Sequence, residues 1–266
     1  MYDRFDRHIN YLRISVTDRC NLRCQYCMPE EGVKLLTHND ILTFEEIQEV
    51  TRIAVKLGVD KVRITGGEPL VRKGIVQLVK DLATIEGIRD LSMTTNGILM
   101  SKFAGALADA GLHRVNISLD TLDPVKYKQI TRIGNLSDVL DGIEAAKAAG
   151  LLPIKLNCVV RENSSEPDAR SVAEFGKEHG FEVRFIHQMD LNTGEFHVVE
   201  GGSGGDCENC NRLRLTANGK VKPCLFNDME FDVRTLGAEA ALLAAILNKP
   251  FCGTINHQNS FYNIGG

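Results

Sequence analysis

The sequence predicts an α/β chain that repeats a strand–helix unit six times, the pattern of an open or partial (β/α) barrel, followed by a C-terminal extension. Three observations carry this. Short β-rich apolar runs alternate with longer segments of helical period from Tyr11 to about His187, as expected of βα units around a parallel sheet. Gly58, Gly111, Gly150 and Gly180 each follow a helical segment, where glycine most easily takes a left-handed cap. After Met189 the pattern breaks into Glu200-Gly-Gly-Ser-Gly-Gly205 and a run rich in cysteine.

Taken in order, strands are predicted at 12–16, 61–65, 90–94, 114–118, 154–160 and 182–186. The helix at 44–57 places apolar residues at 44, 47, 50, 53, 54 and 57 on one face. Thr43, with Glu46 three residues on, forms a capping box at its start. Further helices are predicted at 74–85, 101–110, 136–149 and 167–179. Periodicity alone allows a doubly wound sheet as well as a barrel. Residues 1–189 are read as the barrel domain and 190–266 as the extension, with one helix at 238–247 and a terminus ending Ile264-Gly265-Gly266.

Composition narrows the function class. Hydrophobic residues are 43%, charged residues 25%, and the net charge is -4, ordinary for a globular protein. A nucleic-acid-binding domain shows a basic excess, so no polynucleotide partner is expected. No apolar run reaches the ~20 residues of a membrane span, and the opening MYDRFDRHIN lacks a signal-peptide core. The reading is a cytoplasmic protein without a membrane partner. In a reducing compartment eight cysteines point to metal or redox chemistry rather than disulfides.

Six of the cysteines form two groups. Cys20-Asn-Leu-Arg-Cys24-Gln-Tyr-Cys27 directly follows the first strand, on the strand-end loop where β/α barrels build active sites. Three thiolates at this spacing can each hold one iron of a cubane, leaving the fourth iron open to a small molecule. Zinc would want a fourth nearby ligand, and the closest candidate is His38. The second group is Cys207-Glu-Asn-Cys210-Asn-Arg212-Leu-Arg214, with Cys224 beyond it. Here His257 or Cys252 could close a four-ligand zinc site, while Arg212 and Arg214 favour an anionic ligand beside the group. Cys158, in an apolar strand, reads as a small buried residue. Cys252 reads as a free thiol or a stray ligand.

Arg13, Arg63, Lys155 and Arg184 all fall in predicted strands. A buried cation is costly unless it is paired or faces a polar cavity, so several strands each turning one base inward would build a positive lumen despite the negative net charge.

The CxxxCxxC spacing resembles the radical S-adenosylmethionine (SAM) superfamily, which implies a partial (β/α)6 TIM-like barrel carrying a [4Fe–4S] cluster on Cys20, Cys24 and Cys27. It implies SAM contacts from Gly66-Gly67-Glu68-Pro69, which is similar to the superfamily's GGEP segment, and from Tyr26, Ser118 and Met189. CxxCNRLRLT with Gly219 and Pro223-Cys224-Leu225-Phe226 resembles the MoaA family of GTP 3′,8-cyclases, which open molybdenum-cofactor biosynthesis. That resemblance implies a second [4Fe–4S] cluster on Cys207, Cys210 and Cys224, whose open iron meets the guanine of GTP. It further implies nucleotide contacts from Arg13, Lys61, Arg63, Thr94, Lys155, Arg184, Arg212 and Arg214. Catalytic parts are implied for Arg212 and Arg214, as aids to proton delivery, and for a Gly265-Gly266 tail that reaches into the site. A reducing electron donor is required. The sequence is compatible with a homodimer but carries no mark of oligomeric state. The family has a much longer connection where this chain has only residues 190–206. The competing readings are a radical SAM enzyme acting on another nucleotide, one acting on a peptide, which would not need the barrel bases, and a non-catalytic zinc or iron–sulfur scaffold.

Overall fold

The structure, a computed structural model, describes residues 1–259 and 261–264. Six parallel strands appear within about a residue of their predicted bounds: β1 Tyr11–Ser15, β2 Lys61–Thr65, β3 Asp90–Thr95, β4 Arg114–Ser118, β5 Lys155–Val160 and β6 Glu182–His187. They are connected by α1 Phe44–Lys56, α2 Ile75–Ala83, α3 Met100–Asp109, α4 Pro124–Thr131, α5 Leu136–Ala148 and α6 Pro167–His179. The Thr43–Glu46 capping box is present on both sides, with the Thr43 hydroxyl accepting from the Glu46 N–H and the Glu46 carboxylate from that of Thr43. All four predicted helix-ending glycines have positive φ.

The extension does not stand apart from this sheet. β7 Arg212–Leu215 pairs in parallel with β1, and β8 Lys220–Lys222 and β9 Phe231–Asp232 continue antiparallel, giving the order β6-β5-β4-β3-β2-β1-β7-β8-β9. A short α7, Val233–Leu236, leads into α8, Ala238–Leu247, which buries Ala241, Leu242, Ala245 and Ile246. The last described element is α9, Phe261–Ile264. Sequence reading missed β7, β8 and β9 because strands of two to four residues offer too little periodicity to read.

One row of side chains on β1 to β5 and on β7, including Leu12, Ile14, Val62, Ile64, Leu91 and Met93, is wholly buried against the helices. The alternate row faces a shared cavity to which all seven parallel strands contribute. This alternation is the period-two geometry of a strand, and the sheet curls enough to bring β1 and β6 to the same space.

The loop after β2 lies backbone to backbone against the loop after β1. Gly67 N–H donates to the Thr17 carbonyl at 2.7 Å and Glu68 N–H to that of Arg19 at 2.8 Å. A Cβ on Gly67 would sit 2.4 Å from the Arg19 oxygen. Gly67→Ala is therefore expected to cost roughly 1–3 kcal/mol, read as a fall in the urea midpoint, and to lower the iron retained by the first cysteine group. An unchanged midpoint would show that the two loops are free to separate.

Candidate active site

The first cysteine group is held by α4 as well as by its own turn. Cys27 and Met28 N–H both donate to the Cys24 carbonyl, closing a tight turn. Arg23 and Gln25 N–H reach the carbonyls of Thr131 and Ile130, and the Arg132 guanidinium bonds the carbonyls of Arg23 and Met28. Sequence reading missed α4, although Asp123 capping Val125 and Lys126 with Pro124 next in line is a strong start signal.

Cys20, Cys24 and Cys27 line a cavity of about 210 Å³ together with Gly66, Gly67 and Ser118. Tyr26 and Met189 line it too, so these five predicted SAM residues meet the three cysteines there. Glu68 does not line it. Its buried carboxylate instead accepts from Thr95 Oγ1, from the N–H of Asn96 and from that of Leu70 at 2.7–3.0 Å, and burial pushes it up to about 7. It pins the loop that Gly66 and Gly67 shape.

Burial also pushes the Cys24 and Cys27 thiols up to about 12, so their thiolates form with the metal rather than before it. Among the described residues no three His, Cys, Asp or Glu side chains converge on one ion position. Cubane ligands each bind a different iron, so thiols spread around a cavity suit such a cluster. The glycine floor beside them is a cradle that any Cβ would fill.

Asp120, Asn96 and Asn157 also line this cavity and were not singled out from the sequence. Asp120 accepts from the Tyr26 hydroxyl and from Val159 N–H, both at 2.8 Å. Burial raises its carboxyl to about 6, against the pull of those two donors. The folded value lies above the unfolded one, so the native state binds this proton more tightly. Its contribution to stability is therefore greatest below pH ~4 and is lost as pH rises through about 6. The urea midpoint of the cluster-free chain should fall less between pH 5 and pH 8 in Asp120→Asn than in the unaltered chain. Equal falls would assign the slope to other groups, Glu68 among them.

A second cavity, of about 360 Å³, adjoins the first, with Asn157, Ile186 and Met189 lining both. It holds Cys207, Cys210 and Cys224 at one end and cationic side chains along its wall. The register sets those cations in rows. Arg214, Arg13 and Arg63 are direct partners across β7, β1 and β2, and the row two residues earlier is Arg212, Tyr11 and Lys61. Arg184 enters from β6, opposite Asn157 on β5. Burial, then Arg214, holds Arg13 well below the usual arginine value. Burial, then Arg212, brings Arg214 to about 10, so it stays charged at neutral pH. Arg63 and Arg184 are lowered by burial as well. Arg184 Nε and Asn116 Nδ2 are buried without a hydrogen-bond partner, an arrangement suited to an anion that accepts from both walls.

Two predicted nucleotide contacts lie elsewhere. Lys155 pairs with Glu182 and does not line the cavity, and Thr94 lines the SAM-side cavity with its buried hydroxyl unpartnered. In Lys155's place Arg114 enters, bound to Asp90 at 2.5 Å. Its phase with Asn116 and Ser118 on β4 was the signal. Gly265 and Gly266 lie outside the described residues.

The short bridge is fixed at both ends. Phe185 and Glu200 exchange backbone hydrogen bonds at 3.1 Å, laying the bridge on the free edge of β6. At the other end Phe196 stacks on Phe226 at 4.5 Å, and Asn256 N–H donates to the Leu191 carbonyl. Ser203 then accepts from Arg212 at 2.6 Å over the cavity. The glycines are needed where backbones close up, since a Cβ on Gly205 would lie 2.0 Å from the His197 oxygen.

Against known proteins, residues 14–176 match the family model of the radical SAM superfamily, and residues 173–256 match that of Molybdenum Cofactor Synthesis C. GTP 3′,8-cyclase from Thermodesulfovibrio yellowstonii is 44% identical, with 89% of this chain and 88% of the relative aligned. The chain belongs to the GTP 3′,8-cyclase family of radical SAM enzymes. The Peptoclostridium acidaminophilum member is 44% identical over 94% of this chain and 92% of its own. The first alignment runs to 282 residues against a chain of 266, so the family carries residues that this chain lacks, in keeping with the short bridge.

Among solved structures, Streptococcus suis SuiB bound to precursor peptide SuiA superposes with a TM-score of 0.65 at 16% identity, over 92% of this chain and 66% of that one. Native anSMEcpe with bound AdoMet gives 0.62 at 16%, over 91% and 81%. At such identities these two show the shared fold alone. Among the described residues no helix is long and apolar enough to cross a membrane.

Proposed function

We infer that this chain converts GTP to 3′,8-cyclo-7,8-dihydro-GTP, the first step of molybdenum-cofactor biosynthesis. The observation that carries the substrate class is the row Arg214, Arg13, Arg63 on adjacent strands, with Arg212, Lys61 and Arg184 beside it. Like charges directly opposite one another across strands repel, and burial withholds the water that would screen them. Such a wall is stable with a polyanion against it, and a triphosphate fits, since each guanidinium can donate two bonds to phosphate oxygens.

Residues 1–189 form the radical-generating part and 190–266 the part that seats the nucleotide base. Cys20, Cys24 and Cys27 would hold a cluster that would supply reductive cleavage of SAM and so the radical chemistry at C3′ of the ribose, and Cys207, Cys210 and Cys224 would hold a second cluster. The chain's own residues position the reactants. Gly66 and Gly67 give SAM close access to backbone, and Tyr26, fixed by Asp120, walls the pocket. Met189 stands at the junction of the two cavities. Arg212 and Arg214, members of the wall that share the cavity lining with the second cysteine group, would hold a proton near the cyclised base. No amino-acid base is needed for the first step. The setting is cytoplasmic, with a reducing electron donor and no polynucleotide partner.

The test is anaerobic incubation of the reconstituted protein with SAM, dithionite and GTP. 5′-Deoxyadenosine together with a cyclised nucleotide is expected. Equal deoxyadenosine with and without GTP, and no new nucleotide, would sink the substrate assignment and leave the superfamily intact.

A further inference from the structure

We propose that Tyr11 is a further phosphate-binding residue of the substrate cavity, its phenolic O–H donating to an oxygen of the nucleotide's triphosphate. The proposal rests on the reading of the chain as a GTP cyclase and adds a residue outside the set that the family resemblance implies.

Tyr11 opens β1, and its direct partners on the two flanking strands are Arg212 on β7 and Lys61 on β2. It lines the substrate cavity and not the one that holds the first cysteine group. The residue is 8% exposed, and its hydroxyl is buried without a hydrogen-bond partner. A buried phenol ordinarily finds a partner, so this orphan calls for a reason.

Its surroundings supply one. The Arg63 and Arg212 guanidiniums lie over the ring, 5.3 and 5.8 Å from its centroid, and Arg13, Arg184 and Arg214 are further electrostatic neighbours of the phenol. Arginines of β1, β2, β6 and β7 thus surround one neutral hydroxyl. A guanidinium offers donors and no acceptor, so none of them can take the phenolic proton. Asp90 and Asp206 line the same cavity, but Arg114 holds the first and Asn209 the second. The acceptor that this hydroxyl lacks therefore arrives with the ligand, and among so many cations that ligand is an anion.

A neutral donor has a use beside charged ones. A further cation at this position would add repulsion to the ligand-free wall, whereas a phenol adds a donor and no charge. The strand itself need not move, since Tyr11 N–H is fixed on the Asn211 carbonyl at 3.2 Å. The two guanidiniums over the ring turn onto phosphate oxygens as the nucleotide enters, and the hydroxyl they enclose then reaches the same group. No bond is made or broken, and the proton stays on the phenol.

The experiment compares Tyr11→Phe with the unaltered chain, both full length and anaerobically reconstituted. The substitution removes the hydroxyl alone and keeps the ring beneath both guanidiniums. Dissociation constants are measured for GTP, for inorganic tripolyphosphate by its displacement of a fluorescent GTP analogue, and for SAM. GTP and tripolyphosphate should both bind about 10-fold more weakly, and SAM should bind as before. The thermal midpoint of the ligand-free variant should equal or exceed that of the unaltered chain, because a buried hydroxyl without a partner costs stability. Equal GTP affinity in the two proteins would overturn the proposal and leave the cyclase reading standing. Weaker GTP binding with unchanged tripolyphosphate binding would move the contact to the base or ribose and overturn it too. A lowered midpoint, or a parallel loss of SAM affinity, would assign the hydroxyl to the fold instead. An unaltered chain that binds neither GTP nor tripolyphosphate would remove the cyclase reading and the proposal with it.

Discussion

Cys24→Ala should abolish 5′-deoxyadenosine formation while leaving the fold in place. Cys24 is the middle ligand of the first group and its carbonyl closes the turn to Cys27 and Met28, but that bond belongs to the backbone and survives the substitution. What is lost is one iron ligand. Hydrogen abstraction at an unactivated carbon has no protein-only route, so the loss should be on the order of 1000-fold or more. The thermal midpoint of the cluster-free chain should move little, since alanine and cysteine differ by one sulfur in a half-buried loop. Anaerobic chromatography of deoxyadenosine with iron counting checks both halves. Deoxyadenosine at a tenth of the normal rate would mean the radical does not come from this cluster.

Arg63→Ala should separate binding from folding. Arg63 stands between Arg13 and Ser92 in the row that crosses β1, β2 and β3, donates to Ser92 Oγ at 3.2 Å, and lies over the Tyr11 ring at 5.3 Å. Charged hydrogen bonds to phosphate are worth about 1.5–3 kcal/mol, so the KM for GTP should rise roughly 10- to 100-fold. Removing one of several mutually repelling buried cations should leave the ligand-free chain as stable as before or more so. Lys155→Ala, at a strand position that the resemblance alone treats as equivalent, should change KM at most a few-fold, because Lys155 is paired with Glu182 outside the cavity. Titration of GTP with a fluorescent analogue, beside thermal melts, checks all three. Equal losses in the two variants would mean that Lys155 swings inward when nucleotide binds.

The sequence alone determined the unit that repeats, the bounds of its six strands, the residues of both cysteine groups and the family. These are local in origin: hydrophobic period fixes strands and helices, and CxxxCxxC fixes the reach of three thiols to one cluster. The inward arginines on β1, β2 and β6 were legible for the same reason, since a cation in an apolar strand must face something polar. Tertiary structure decided what depends on partners distant in the chain. It placed β7 beside β1, which lines up Arg214, Arg13 and Arg63, a pairing between residues some two hundred positions apart that no local pattern encodes. It gave Lys155, which shares the inward face of β5 with Asn157, an ion pair with Glu182 directly opposite on β6, and it lined the cavity with Arg114 instead, because such pairings depend on which strands lie side by side. It gave Glu68 to the loop instead of the cavity. It also brought Cys252, read from the sequence as a free thiol or a stray ligand, to 2.9 Å from Cys207, because Arg7, salt-bridged to Asp3 at the opposite end of the chain, bonds the carbonyls of Pro250 and Phe251 just before it.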